Sequence, residues 1–110
     1  MRNLNRELLH GNSETLVLAQ SAKGDSYGYQ MRKDLAACSK HYFQFVFGSL
    51  YPLLRTLEKR RLARAQLVKP GKLRERRQYA ITAKGLAELQ KRKRQWRQFS
   101  DAIERVLSQS

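Results

Sequence analysis

The sequence predicts a mainly α-helical chain with one small β-hairpin and a long final helix. Three observations carry that prediction. Leu50, Leu53, Leu54 and Leu57 recur at helical spacing and mark an amphipathic helix. Two short alternating stretches flank the turn signal Pro70-Gly71-Lys72 and mark a hairpin. Leu89, Trp96 and Ile103 repeat every seven residues through the last part of the chain.

The elements follow in order. Residues 1–11 are polar with one apolar pair, Leu8 and Leu9, and predict a short N-terminal helical arm ending at Gly11. Asn12 or Ser13 is placed to cap a helix through Leu16–Ala19 to Ala22. That run is apolar nearly all round, which predicts burial on more than one side. Lys23-Gly24-Asp25 breaks it. Ser26 is the expected N-cap of a second helix, from about Tyr27 to Cys38. Tyr27, Met31, Leu35 and Cys38 share its inner face, and Arg32, Lys33 and Asp34 face water. Gly28, in the first turn, permits close packing. Lys40 to Phe45 is short and aromatic and reads as a single strand or an extended lead-in.

The stretch Phe47–Leu62, FGSLYPLLRTLEKRRL, is the one the chain is arranged to present. Its leucines form an apolar stripe. Ser49, Tyr51, Arg55, Lys59 and Arg60 lie largely off it, and these residue types hydrogen-bond phosphate oxygens or base edges. Taken alone, such a face is equally that of an ordinary solvated helix. Proline is tolerated only in a first turn, so Pro52 predicts regular helix starting near Gly48 or Ser49. Ala63–Lys69 and Arg76–Thr82 are the hairpin strands, with Tyr79 and Ile81 inward and Lys69, Lys72, Arg74, Arg76 and Arg77 around the tip. From Arg55 to Arg77 ten basic residues stand against Glu58 and Glu75, so the positive charge is concentrated on this helix and hairpin.

Thr82 is placed to cap the last helix, Ala83 to about Leu107. Leu89, Trp96 and Ile103 form one seam position, and Phe99 and Val106 supply the other. Lys91, Arg92, Lys93, Arg94 and Arg97 occupy the remaining faces. A long terminal helix with one apolar seam and no partner left in the chain most simply pairs with a second copy. The other reading packs the seam back on its own domain.

Composition bounds the rest. A chain of 110 residues makes one domain with a modest core. A net charge of +14 invites a polyanion: nucleic acid before an anionic membrane. The one cysteine, Cys38, excludes an internal disulfide and is expected to be a buried core thiol, with His41 a surface or DNA-proximal residue. No apolar run approaches the roughly 18 residues of a membrane span, and the N-terminus lacks a signal-peptide core, which predicts a cytoplasmic protein. His10, His41 and Cys38 fit no zinc spacing, so neither metal nor cofactor is expected. There is no Ser-His-Asp set, glycine-rich phosphate loop or paired carboxylate, so the chain does not read as an enzyme.

Helix, helix, helix, hairpin, helix is the order of a winged helix-turn-helix with an added dimerisation helix. The chain resembles the PadR family of bacterial transcriptional regulators, in its shorter subgroup with a single C-terminal helix. Tyr27-Gly28-Tyr29, Gly48-Ser49-Leu50-Tyr51-Pro52, Leu54-Arg55-Thr56-Leu57-Glu58-Lys59 and Tyr79-Ala80-Ile81-Thr82-Ala83-Lys84-Gly85 carry the likeness, in the family's order, over about Gly11 to Leu107. The domains are then an arm (1–11), a winged helix-turn-helix (12–82) and a dimerisation helix (83–110).

The resemblance implies a homodimeric repressor on a palindromic operator in double-stranded DNA. Ser49, Tyr51 and Pro52 would open the DNA-facing helix, and the wing from Lys72 to Arg77 would touch backbone or minor groove. An effector pocket, for a small aromatic compound, is implied at the dimer seam beside Trp96. Arg55 and Ser49 are the expected base-edge contacts. Tyr51, Lys59, Lys72, Arg74, Arg76 and Arg77 are the expected phosphate contacts, and Lys40 joins the DNA-binding set. The family usually has glycine where Arg61 stands and often serine where Val46 stands, so both helix ends depart from its pattern. The alternatives are an effector-independent accessory or architectural DNA-binding protein, and a module for an acidic protein or membrane surface.

Overall fold

The computed structural model describes residues 12–43, 47–69, 71 and 75–110, together with the backbone but not the side chains of Phe47, Gly48 and Ser49. The expected arm at 1–11, and Val46, Lys72 and Arg74, lie outside the described residues. The elements are α1 (Ser13–Ser21), β1 (Ser26–Tyr27), α2 (Gly28–Cys38), α3 (Phe47–Lys59), β2 (Ala63–Val68), β3 (Arg76–Ile81) and α4 (Ala83–Leu107).

Helix α1 is buried on several sides, as its apolar run predicts: Val17, Leu18, Gln20 and Ser21 are all inside. Asn12 occupies the N-cap position, but its side chain does not make the cap hydrogen bond. Gly24 adopts φ +130°, a conformation open to glycine, and turns the chain toward β1.

Ser26 does not cap α2 as expected. Ser26 and Tyr27 pair with Tyr79 and Gln78 of β3, and Tyr27 becomes the N-cap residue. The hairpin is therefore two strands of a three-stranded antiparallel sheet, ordered β1-β3-β2. Two residues are too few for strand alternation to register in a sequence.

Met31 and Leu35 of α2 enter the core, but Cys38 is exposed, against the expectation of a core thiol. It lies in the last turn, beyond the last core contact at Leu35, where Lys23 Nζ approaches its Sγ at 3.2 Å. Lys40 to Phe43 is no strand. The chain turns there: the His41 N–H reaches the Ala36 carbonyl at 2.6 Å and the Lys40 N–H the Ala37 carbonyl at 3.2 Å, with Lys40 at φ 52° and His41 at φ 64°. This paired closure is a helix C-terminus of the kind that glycine usually makes.

Helix α3 buries Leu50, Leu54 and Leu57 completely or nearly so, with Leu53 half-buried. It starts at Phe47, earlier than Pro52 suggested. Pro52 is thus the sixth helical residue, past the orphan N–H groups, and the Gly48 carbonyl loses its usual intrahelical partner. The helix ends through Arg61 at φ 60°, with Leu62 N–H on the Leu57 carbonyl (2.9 Å) and Arg61 N–H on the Glu58 carbonyl (3.0 Å). The chain keeps the left-handed cap without the glycine.

What holds that cap is the start of α4. The Thr82 hydroxyl donates to the Arg61 carbonyl at 2.6 Å and accepts from the Gly85 N–H at 3.0 Å. The Thr82 N–H bonds the Leu62 carbonyl at 3.1 Å, and Lys84 Nζ bonds the Arg60 carbonyl at 3.1 Å. Gly85 lies directly against the Leu62 carbonyl. The predicted Thr82 cap therefore also ties the end of α3 to the base of α4.

Candidate nucleic-acid interface and pairing surface

Burial of the α3 leucines turns the opposite face outward. Pro52, Arg55 and Lys59 are exposed and Tyr51 is half-buried. The sheet stands beside this face, with Tyr79 anchoring β3 in the core. Between helix and sheet lies an open cleft of about 490 Å³, lined by Tyr51, Arg55, Glu58, Lys59, Arg77 and Tyr79. Five expected DNA-contact residues thus gather on one side: Tyr51, Pro52, Arg55, Lys59 and Arg77. Ser49 belongs to the same helix, but its side chain lies outside those described.

Arg77 is not a free cation. Its guanidinium donates to Glu58 Oε2 at 2.7 Å, and hydrogen bonding to Tyr79 and then to Glu58 holds its pKa above the ordinary arginine range. Arg76 stacks over the Tyr27 ring, 5.6 Å from its centroid. Lys40 is exposed at the end of α2.

The opening of α2 gathers Arg32 and Lys33, expected only to face water, around the Tyr29 ring. Lys33 Nζ lies 4.5 Å and the Arg32 guanidinium 5.7 Å from the Tyr29 ring centroid. A hydrogen bond with Lys33, reinforced by its charge, lowers the Tyr29 pKa. The signal was present, since Arg32 and Lys33 stand three and four residues after Tyr29, the spacing at which helical side chains meet. Gly28 lets this turn approach α3: a Cβ there would lie 3.3 Å from Leu54 Cδ1 and 3.7 Å from the Tyr51 ring.

A second surface lies where α4 leaves the domain. Leu16 and Ala19 of α1, Phe43, and Leu89, Trp96 and Phe99 of α4 line an apolar groove of about 960 Å³. Leu89, grouped by its spacing with the seam, is a core residue at the groove's floor, because the first turns of α4 pack on α1. The other seam residues are open: Trp96 is 51%, Phe99 59%, Ile103 44% and Val106 71% exposed. Trp96 and Phe99 touch, with ring centroids 5.9 Å apart.

Charged residues frame the groove. Arg92 donates to Glu88 at 2.7 Å and to Glu14 at 2.9 Å, and the same Glu14 oxygen accepts from Arg60 at 2.9 Å. Glu14 of α1 thereby joins the end of α3 to the middle of α4. Among the described residues no group of three or more His, Cys, Asp and Glu side chains converges as metal ligands, and no helix is long and apolar enough to cross a membrane.

Comparison with known proteins agrees with this geometry. Residues 17–91 match the transcriptional regulator PadR-like family. A PadR-like transcriptional regulator from Bacillus cereus superposes with a TM-score of 0.78 at 29% identity, covering 92% of this chain and 96% of that one. A PadR family transcriptional regulator from Eggerthella lenta gives 0.79 at 33% identity, covering 92% and 86%. A transcriptional regulator from Clostridium thermocellum gives 0.82 at 21% identity over 96% of both chains, a likeness of fold.

Proposed function

Since this chain belongs to the PadR-like family of transcriptional regulators, we propose that it acts as a dimeric, cytoplasmic repressor of a palindromic operator. Residues 12–82 read DNA and 83–110 pair the chains, with the first turns of α4 shared between both tasks.

One observation carries the dimer. The distal half of α4 presents Phe99, Ile103 and Val106 to solvent, while the same chain offers an apolar groove between α1 and α4. A stripe and a groove on one molecule are complementary between two copies, and reciprocal contact produces a closed two-fold pair. Two α3 helices related by that axis face successive major grooves about 34 Å apart. Arg55 and Ser49 contact base edges. Tyr51, Lys59, Arg76 and the wing bases contact phosphates and supply salt-dependent affinity through counterion release. A planar aromatic compound beside Trp96 changes the separation of the two reading helices and releases the operator.

Selection of bound sites from random duplex DNA tests this reading. The expected product is a two-fold-symmetric site with half-sites one helical turn apart. Equal affinity for every sequence would overturn it in favour of an architectural DNA-binding role. For the release step, the expected result is quenching of Trp96 fluorescence by planar aromatic compounds together with loss of operator binding. A broad panel that changes neither would remove the effector.

A further inference from the structure

The cleft between α3 and β3 holds an acid on a wall otherwise suited to anions. Glu58 is the one acidic side chain among the described residues lining it, beside Arg55, Lys59 and Arg77. Its Oε2 accepts from Arg77 at 2.7 Å, joining helix to sheet across the cleft. As a fold contact the pair is weak: the Arg77 and Glu58 side chains are 47% and 32% exposed, and water screens them. Arg55 and Lys59, on the same wall, make no ion pair among the described residues.

We propose that Glu58 is a stand-in for a DNA phosphate, holding the Arg77 guanidinium in the free protein and yielding it to the backbone when a duplex closes over α3 and the sheet. The inference rests on the reading of this side as the DNA face. A carboxylate and a phosphate offer a guanidinium the same paired oxygen acceptors, so one replaces the other without rebuilding the site. A duplex carries one negative charge per roughly 1.7 Å of axis, so its approach sets phosphate against the Glu58 carboxylate. Like charges brought together oppose binding, while Arg77, which also hydrogen-bonds Tyr79, exchanges its carboxylate acceptor for a phosphate. Glu58 therefore lowers affinity for every sequence alike. It acts as a brake on indiscriminate binding by a chain of net charge +14, because non-specific binding is electrostatic.

The test is Glu58→Gln, which keeps the shape and a carbonyl acceptor for Arg77 but removes the charge. Binding to random-sequence duplex and its salt dependence are measured on the full chain, with thermal melting as a check on folding. Affinity near 0.1 M salt is expected to rise roughly threefold to tenfold per protomer, and the slope of log K against log salt to steepen by about 0.9 per protomer. In an Arg77→Gln background, where no guanidinium is left to release, the same change raises affinity and steepens the slope less, by the repulsion between Glu58 and phosphate alone. Unchanged or weakened binding by a folded Glu58→Gln protein overturns the proposal and makes the pair a structural tie. Arg55→Gln and Lys59→Gln separate the two readings. If they flatten the slope while Glu58→Gln has no effect, only this proposal falls; if they too have no effect, the DNA face is elsewhere.

Discussion

Gly85→Ala should unfold the junction that aims α4, although the same change in most helices is stabilising. Gly85 has ordinary helical backbone angles, so alanine meets no conformational penalty, and its higher helix propensity contributes about 1 kcal/mol. The obstacle is space. A Cβ at this position overlaps the Leu62 carbonyl oxygen and lies 2.8 Å from Ile81 Cγ1. Overpacking relieved by side-chain movement costs about 1–3 kcal/mol. Here one side of the clash is backbone, so the first turn of α4 has to withdraw from residues 61 and 62. Withdrawal breaks the bonds from the Thr82 hydroxyl to the Arg61 carbonyl and from the Thr82 N–H to the Leu62 carbonyl, each worth about 1 kcal/mol. The balance is a net loss of about 3 kcal/mol. For a domain of this size that lowers Tm by roughly 12–20 °C. Urea and thermal denaturation, followed by circular dichroism at one fixed protein concentration, measure it. A Gly85→Ala protein as stable as the parent would refute the reasoning, since the contact with Leu62 would then be no constraint.

Other expectations follow from the same contacts. Arg61→Gly should stabilise by up to about 1 kcal/mol, because φ 60° suits glycine; an unchanged denaturation midpoint would count against the strained cap. Thr82→Ala should cost about 1–2 kcal/mol and Thr82→Ser much less, since the hydroxyl serves both Gly85 and Arg61; equal losses in the two would contradict the hydrogen-bond account. The hydrogen bond from Arg92 lowers the Glu88 pKa below 4.5 against a smaller effect of burial. A depressed carboxylate adds stability above its unfolded value and loses it as pH falls through the folded one. An acid titration of stability should therefore show a loss below about pH 4.5, on the order of 1 kcal/mol or less for a pair still 29% and 16% exposed, that is absent in Arg92→Gln.

The readable parts of this chain are those where a local pattern meets one physical demand. Thr82 followed by a long apolar repeat gave α4 to the residue, because a cap and a period are both local. The leucines of α3 gave its buried face for the same reason. What escaped depends on partners far along the chain. Strand β1 is two residues long and exists only because β3 lies beside it. Cys38 has core spacing, but α2 extends past the core that its other residues fill. Arg61 has an unfavourable conformation by local rules. It is held there by its helix and by Thr82, 21 residues later. Of the residues proposed to face DNA, residue type and helical phase indicated Arg55 and Lys59. The engagement of Arg77 by Glu58, 19 residues away across helix and sheet, has no local signature. Nor does the groove, whose walls come from opposite ends of the chain, where Arg92 on α4 reaches Thr15 on α1 at 3.3 Å.

The proposed dimer is where all of the proposed DNA reading converges. Trp96 and Phe99 each leave about half of an aromatic surface open, on the order of 100 Å² apiece, and covering such area contributes about 25 cal/mol per Å². Sedimentation equilibrium of the free protein at micromolar concentration, beside Phe99→Asp, measures that directly. The expected mass for the parent is twice the 12.9 kDa of one chain, with the variant reduced to a single chain. A parent that sediments as one 12.9 kDa chain, or a variant that stays paired, would contradict the two-fold reading head.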